Sequence, residues 1–215
     1  GDLVTCESWS NLPLNESFAN YSQFLWDEFE YGKMEADMNA YQEMEGYFLS
    51  AQQGGYKDLI RFDYKDKEDM FDGHSYNKGG RILNMLRDHV GDDAFFDGLK
   101  LYLNKHAFKT AEAHDLRIAF EEVSGLDLNW FFNQWFFAKG HPILEIKQQY
   151  LKDKGLLQVM VHQKQDTEKW PLYNLPIHID VYTNTGIQSQ QHWISNKWDT
   201  INIELPNAPL LVNAL

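Results

Sequence analysis

The chain has 215 residues, 43% of them hydrophobic and 15% aromatic, and a formal net charge of −13. That composition suits one large or two small packed domains and excludes a disordered polar chain. The acidic balance repels phosphate backbones and anionic lipid, which argues against nucleic acid and membrane surfaces as partners and tolerates cationic ligands such as free amino termini. No apolar run approaches the roughly 18 residues of a membrane span. The lone Cys6 rules out an internal disulfide framework and does not assign a compartment, which the sequence leaves unknown.

Helical periodicity dominates up to about Gly140. Phe18, Tyr21, Phe24 and Leu25 recur at three- and four-residue steps after Pro13, in a run that continues past Met34, Met38, Tyr41 and Phe48 to the stop at Gly54-Gly55. Ser75 is placed to cap a second helix with an Ile82, Leu83, Leu86 and Val90 stripe, ending at Gly91. Asp92 or Asp93 caps a third helix. Thr110 opens a fourth that ends at Gly125, and Asp127 caps a fifth holding Trp130, Phe131 and Trp135.

After Gly140-His141-Pro142 the period changes to two. Leu157, Val159 and Val161, then Leu175, Ile177, Ile179 and Val181, then Ile201, Ile203 and Leu205 alternate with polar neighbours, separated by turn signals. Short strands at that spacing predict a small β-sandwich. The expected fold class is therefore α+β: a multi-helix domain over residues 1–140, then a β-sandwich over 141–215.

Two segments carry candidate chemistry. In GDLVTCESWSNLPLNESFANY, Glu16 sits among aromatic residues on the first turn of a helix. By spacing alone it is a first-turn acid that complements the helix dipole, ahead of a metal ligand, because one carboxylate without histidine neighbours is a weak metal signal. In HSYNKGGRILNML, Tyr76 precedes Lys78 and a Gly79-Gly80 pair; a packed tyrosine and a close backbone approach account for that pattern without any chemistry.

Taken together, the two segments resemble the zinc aminopeptidases of the aminopeptidase N and leukotriene-hydrolase family. There an HExxH helix is followed by WFGN-LVT, a Trp and LNEGFA. Gly1-Asp2-Leu3-Val4-Thr5, Trp9 and Leu14-Asn15-Glu16-Ser17-Phe18-Ala19 match the later pieces, with Ser17 in place of the usual Gly. Ser75-Tyr76-Asn77-Lys78-Gly79-Gly80 looks like the family's SYxKGA, about sixty residues on. The stretch from Thr110 to Ile146 resembles the tail of the catalytic domain and its hinge.

The resemblance implies the C-terminal lobe of a thermolysin-like catalytic domain, with Glu16 as the third protein ligand of a catalytic zinc. It also implies that Tyr76 is a hydrogen-bond donor to the scissile carbonyl oxygen, while Lys78, Gly79 and Gly80 position the helix. The implied substrates are peptides that lose their N-terminal residues. The 215 residues contain no HExxH, and the eight histidines stand apart. The expectation is thus a piece of such an enzyme, inactive alone, whose partner is the upstream part of the same protein. The alternative is a non-catalytic scaffold of the same family. Minor candidates are His74, either orienting Tyr76 or standing in solvent; Glu7, near the metal or on the surface; Cys6, as a buried small residue; and the aromatic cluster from Trp130 to Phe137, as core.

Overall fold

A computed structural model of the chain describes residues 2–214; Gly1, the first residue of the GDLVT match, lies outside them. The fold is α+β, and the chain divides into two compact units, 1–140 and 141–215.

The first unit begins with a short strand, β1 (Val4–Cys6), and a 3-10 turn that leads into helix α1 (Pro13–Tyr31). Pro13 occupies the first helical position, where its missing N–H costs nothing, and Leu14, Ser17, Tyr21 and Phe24 form the buried face. The apolar pattern predicted one helix running through residue 48 and beyond. The structure instead breaks it at Gly32, whose φ of 91° a side chain would resist, and α2 (Lys33–Gly54) folds back on α1. Asn20 bonds to Glu43 and Asn39 to Asp27, so the two helices run antiparallel.

After a loop and a 3-10 turn, a π turn (His74–Lys78) continues into α3 (Gly79–Val90), which buries Ile82, Leu83 and Leu86 as expected. Helices α4 (Asp92–Lys105), α5 (Ala113–Ser124) and α6 (Asn129–Trp135) complete the layers. Phe95 of α4 stands 5.7 Å from the Tyr21 ring and 5.4 Å from that of Phe120, at the centre of the core. Phe131, Phe132, Trp135 and Phe136 are buried with it, so these members of the aromatic cluster are core packing, as expected.

The starts of α4 and α5 differ from expectation. Thr110 lies in a second short strand, β2 (Lys109–Ala111), which pairs parallel with β1; α5 is opened by Glu112, which forms a reciprocal capping box with Asp115. The residue ahead of α4 is Gly91, leaving Asp92 inside the first turn and paired with Arg87.

The second unit is the β-sandwich. One antiparallel sheet has the order β3-β4-β7 and the other β6-β5-β8, with strands β3 (Leu144–Leu151), β4 (Leu156–Gln163), β5 (Leu175–Thr183), β6 (Gly186–Ile194), β7 (Trp198–Glu204) and β8 (Leu211–Ala214). The alternating residues Leu157, Val159, Val161, Ile177, Ile179, Val181, Ile201 and Ile203 are buried. Gln163, fully buried, ties this unit internally by donating to the carbonyls of Tyr173 and Asn196.

Candidate functional site

Glu16 projects from the first turn of α1 and is half-buried. The N-terminal turn favours a carboxylate there through the helix dipole. Tyr76, also half-buried, comes from the middle of the π turn. Although sixty residues separate them, the phenol lies close enough to Glu16 for the carboxylate to act on it. Burial first, then the hydrogen bond to Glu16 and its charge, push the Tyr76 pKa up to about 12. The phenol therefore stays protonated, as a donor, throughout the neutral range.

Three contacts set this approach. The Ser17 hydroxyl donates to the Ser75 carbonyl at 2.8 Å, tying α1 to the π turn directly beside both side chains. Gly79 and Gly80 let the backbones approach: a Cβ at Gly79 would lie 1.8 Å from Ser17 Oγ, and one at Gly80 would lie 2.0 Å from Asn20 Oδ1. Glu43 of α2 accepts from the side-chain amides of both Asn20 and Asn77, joining α1, α2 and the π turn. The small residue at position 17 and the glycine pair are two halves of one steric arrangement.

That arrangement gives a direct test. Gly79→Ala alone forces Ser17 or the turn to move and destabilises by about 1–3 kcal/mol, the usual cost of overpacking. In a Ser17→Gly background both close atoms are gone, and the same Gly79→Ala becomes nearly neutral. Denaturation midpoints of the four members of the cycle measure the coupling.

The π turn is anchored at its start by Asp72, which the sequence reading missed. Ser75 had been expected to cap this helix. Instead it is buried with a hydroxyl that lacks a hydrogen-bond partner among the described residues, and the capping oxygen belongs to Asp72, whose Oδ1 accepts from the N–H groups of His74 (3.0 Å) and Ser75 (3.2 Å). The spacing of Asp72 ahead of the turn was the available signal.

Burial works against the charge on Asp72. The neighbouring His74 side chain, the Arg61 guanidinium and a hydrogen bond from Lys57 outweigh it and hold the carboxyl far below the usual carboxylate range.

His74 is not the solvent histidine that a loop position suggested: it is 1% exposed. Its Nε2 accepts the Lys57 N–H at 3.3 Å, and its Nδ1 lies 3.3 Å from Asp72 Oδ2, poorly aligned for a hydrogen bond. Lys78 is buried as well, with its ammonium 3.5 Å from the Ala138 carbonyl and over the Tyr47 ring. Glu7 is exposed. Cys6 is half-buried instead of fully buried, and burial raises its thiol pKa, the wrong direction for a nucleophile.

No group of three or more His, Cys, Asp or Glu side chains converges among the described residues. Glu16 is a single carboxylate on a half-exposed helix edge, which is not by itself a metal site.

The peptidase family M1 domain matches residues 1–135. Aminopeptidase N of Lactococcus lactis is 31% identical over 221 residues, covering 96% of this chain and 24% of that protein. Aminopeptidase N of Streptomyces lividans is 36% identical over 149 residues, 67% of this chain and 17% of its own length. Tricorn protease-interacting factor F2 of Thermoplasma volcanium is 33% identical over 159 residues, 69% of this chain and 19% of its own. The crystal structure of Legionella pneumophila aminopeptidase A in complex with aspartic acid superimposes with a TM-score of 0.78 at 17% identity, over 100% of this chain and 24% of that one, a likeness of fold. The chain thus spans no more than a quarter of the length of any of these four proteins.

Proposed function

The chain belongs to peptidase family M1, and on that premise we propose that it forms part of a zinc-dependent aminopeptidase that removes N-terminal residues from peptides. The observation that carries this reading is the close approach of α1 to the π turn at Ser17, Ser75 and Gly79, which brings Glu16 and Tyr76 into each other's neighbourhood across sixty residues of sequence. The names of two of the relatives, aminopeptidase N, support the reaction class.

In this reading Glu16 would be the carboxylate ligand that helps hold the metal. A zinc ion bound there would polarise the substrate carbonyl and acidify a water molecule. Tyr76 donates its hydroxyl hydrogen to the carbonyl oxygen as negative charge develops on that atom, and a donor fixed before the reaction loses little energy to reorganisation. Gly79, Gly80 and Ser17 hold the donor at a set distance from Glu16.

The 215 residues contain no HExxH, and their single metal carboxylate cannot bind zinc tightly. We therefore assign the stretch, taken alone, no turnover; activity requires the upstream part of the same enzyme. A non-catalytic scaffold has no use for a phenol and a carboxylate held together on a half-exposed edge, and nothing else in the fold favours that alternative.

Zinc analysis and an aminoacyl-anilide assay on the full-length protein test the assignment. Glu16→Gln lowers zinc affinity by more than the roughly 10- to 100-fold that loss of an outer-shell partner produces, and turnover falls with it. A Glu16→Gln protein that keeps one zinc and wild-type turnover would remove Glu16 from the metal and this reading with it.

A further inference from the structure

Asp72 is a more heavily bonded carboxylate than a helix cap requires. One oxygen, Oδ1, accepts from the first two N–H groups of the π turn, at 3.0 Å from His74 and 3.2 Å from Ser75. The other, Oδ2, takes Lys57 Nζ at 3.1 Å and Arg61 Nη2 at 3.0 Å. Arg61 is itself buried and committed, donating to the carbonyls of Asp58 (3.2 Å) and Asp69 (2.7 Å). Asp72 thus joins the start of the turn to the loop of residues 55–62 and to the 3-10 turn before it. Its main chain takes part too: the Tyr76 N–H donates to the Asp72 carbonyl at 3.2 Å, and the Lys78 N–H reaches the Gly73 carbonyl at 2.9 Å, five residues back.

A five-residue π turn is a poor conformation when left to itself and survives where its surroundings hold it. Here it is held from two sides. Ser17 fixes the Ser75 carbonyl from α1, and Asp72 fixes the two N–H groups at the start of the turn. The side chain that leaves the middle of the turn is Tyr76. Rotating the turn by a fraction of a residue would carry the phenol away from Glu16, and a displacement of about 1 Å is enough to cost roughly 100-fold in rate.

We propose that Asp72 is a positioning residue for Tyr76, fixing the π turn against the 55–62 loop so that the phenol lies close to Glu16 and, with substrate bound, to the carbonyl oxygen. This inference rests on reading Tyr76 as the oxyanion donor. Asp72 touches no substrate; it acts through the turn.

The test is a double-mutant cycle on the full-length protein. Asp72→Ala lowers kcat by roughly 100-fold while KM and zinc content hold, and it has little further effect on kcat in a Tyr76→Phe background, because no phenol remains to be placed. Hydrogen exchange of the peptide spanning 72–80 quickens in Asp72→Ala. Asp72→Asn keeps an oxygen for the two N–H groups but sets an amide against Lys57 and Arg61; it loses less, roughly 10-fold. If Asp72→Ala does not fold, Asp72→Asn and its combination with Tyr76→Phe carry the same cycle.

Wild-type kcat in both Asp72 variants overturns the proposal, and so does a loss that persists in full in the Tyr76→Phe background, since Asp72 would then act on general structure. If Tyr76→Phe alone keeps wild-type turnover, the reading of Tyr76 fails first and takes this inference with it. A Tyr76→Phe protein that is crippled beside an unaffected Asp72→Ala protein sinks the positioning role alone.

Discussion

Replacing Tyr76 with phenylalanine in the full-length protein lowers kcat roughly 100- to 1,000-fold, the usual consequence of removing one oxyanion donor, and leaves zinc content unchanged. The ring keeps its packing, because phenylalanine differs by a single oxygen and the residue is half-buried. KM changes little, since the lost bond strengthens as charge develops and contributes little to the ground-state complex.

The contrast with Glu16→Gln is what makes the pair of variants informative. One loses metal; the other keeps it and loses rate. The phenol loses no donor capacity by ionisation near neutrality, because burial and the Glu16 carboxylate together hold its pKa near 12. A Tyr76→Phe enzyme that retains full zinc and wild-type kcat would show that the carbonyl oxygen is stabilised by another group.

Much of the fold was legible before any coordinates, and the exceptions have physical causes. The α3 stripe and strands β4, β5 and β7 follow the rules of period, because each buries one face. Strand β6 was not named: it lies at a sheet edge and runs Gly186-Ile-Gln-Ser-Gln-Gln-His-Trp-Ile194 with almost every side chain exposed, so no alternation marks it. The break at Gly32 hides inside a continuous apolar pattern, because a helical hairpin and a long helix place the same residues on the core face.

At the site, sequence motifs nominated Glu16 and Tyr76, yet nothing in their spacing says that a phenol and a carboxylate sixty residues apart come close. That approach depends on Ser17 fitting against Gly79, a match between one missing Cβ and one small side chain. Asp72 escaped notice because Ser75, three residues on, is an equally good cap by residue type. The hydrogen bonds decide between them: the Ser75 hydroxyl is buried with no partner among the described residues, while Asp72 Oδ1 takes the N–H groups at the start of the turn.

Lys78 makes the second large prediction, and its sign runs against intuition for a charged residue at a functional site. Burial, the largest influence, lowers its pKa to about 8, with Asp58 partly offsetting this and Arg61 adding to it. Below pH 8 the folded chain therefore carries a buried ammonium whose partners are one carbonyl 3.5 Å away, a tyrosine face and the charge of Asp58.

Between pH 8 and the ordinary lysine value near 10.5 the unfolded chain binds the extra proton and the folded chain does not, so stability attributable to Lys78 rises with pH across that window. Integrated over the window, the gain is about 3 kcal/mol. Lys78→Met conserves the volume and removes the titration. The variant therefore exceeds the wild-type protein in stability at pH 7, and that excess shrinks by about 3 kcal/mol on going to pH 10.5.

The comparison is made as a difference because the phenols of Tyr102 and Tyr173, raised by burial, act in the opposite direction above pH 10 in both proteins. Paired denaturant titrations at pH 7, 9 and 10.5 read it out. A pH-independent difference would mean that Lys78 keeps its ordinary pKa in the fold, which requires water or a carboxylate at its head group. A buried lysine tolerated at such a cost, within the turn that carries Tyr76, fits a sequence in which the placement of that turn takes precedence over the stability of the helical layer.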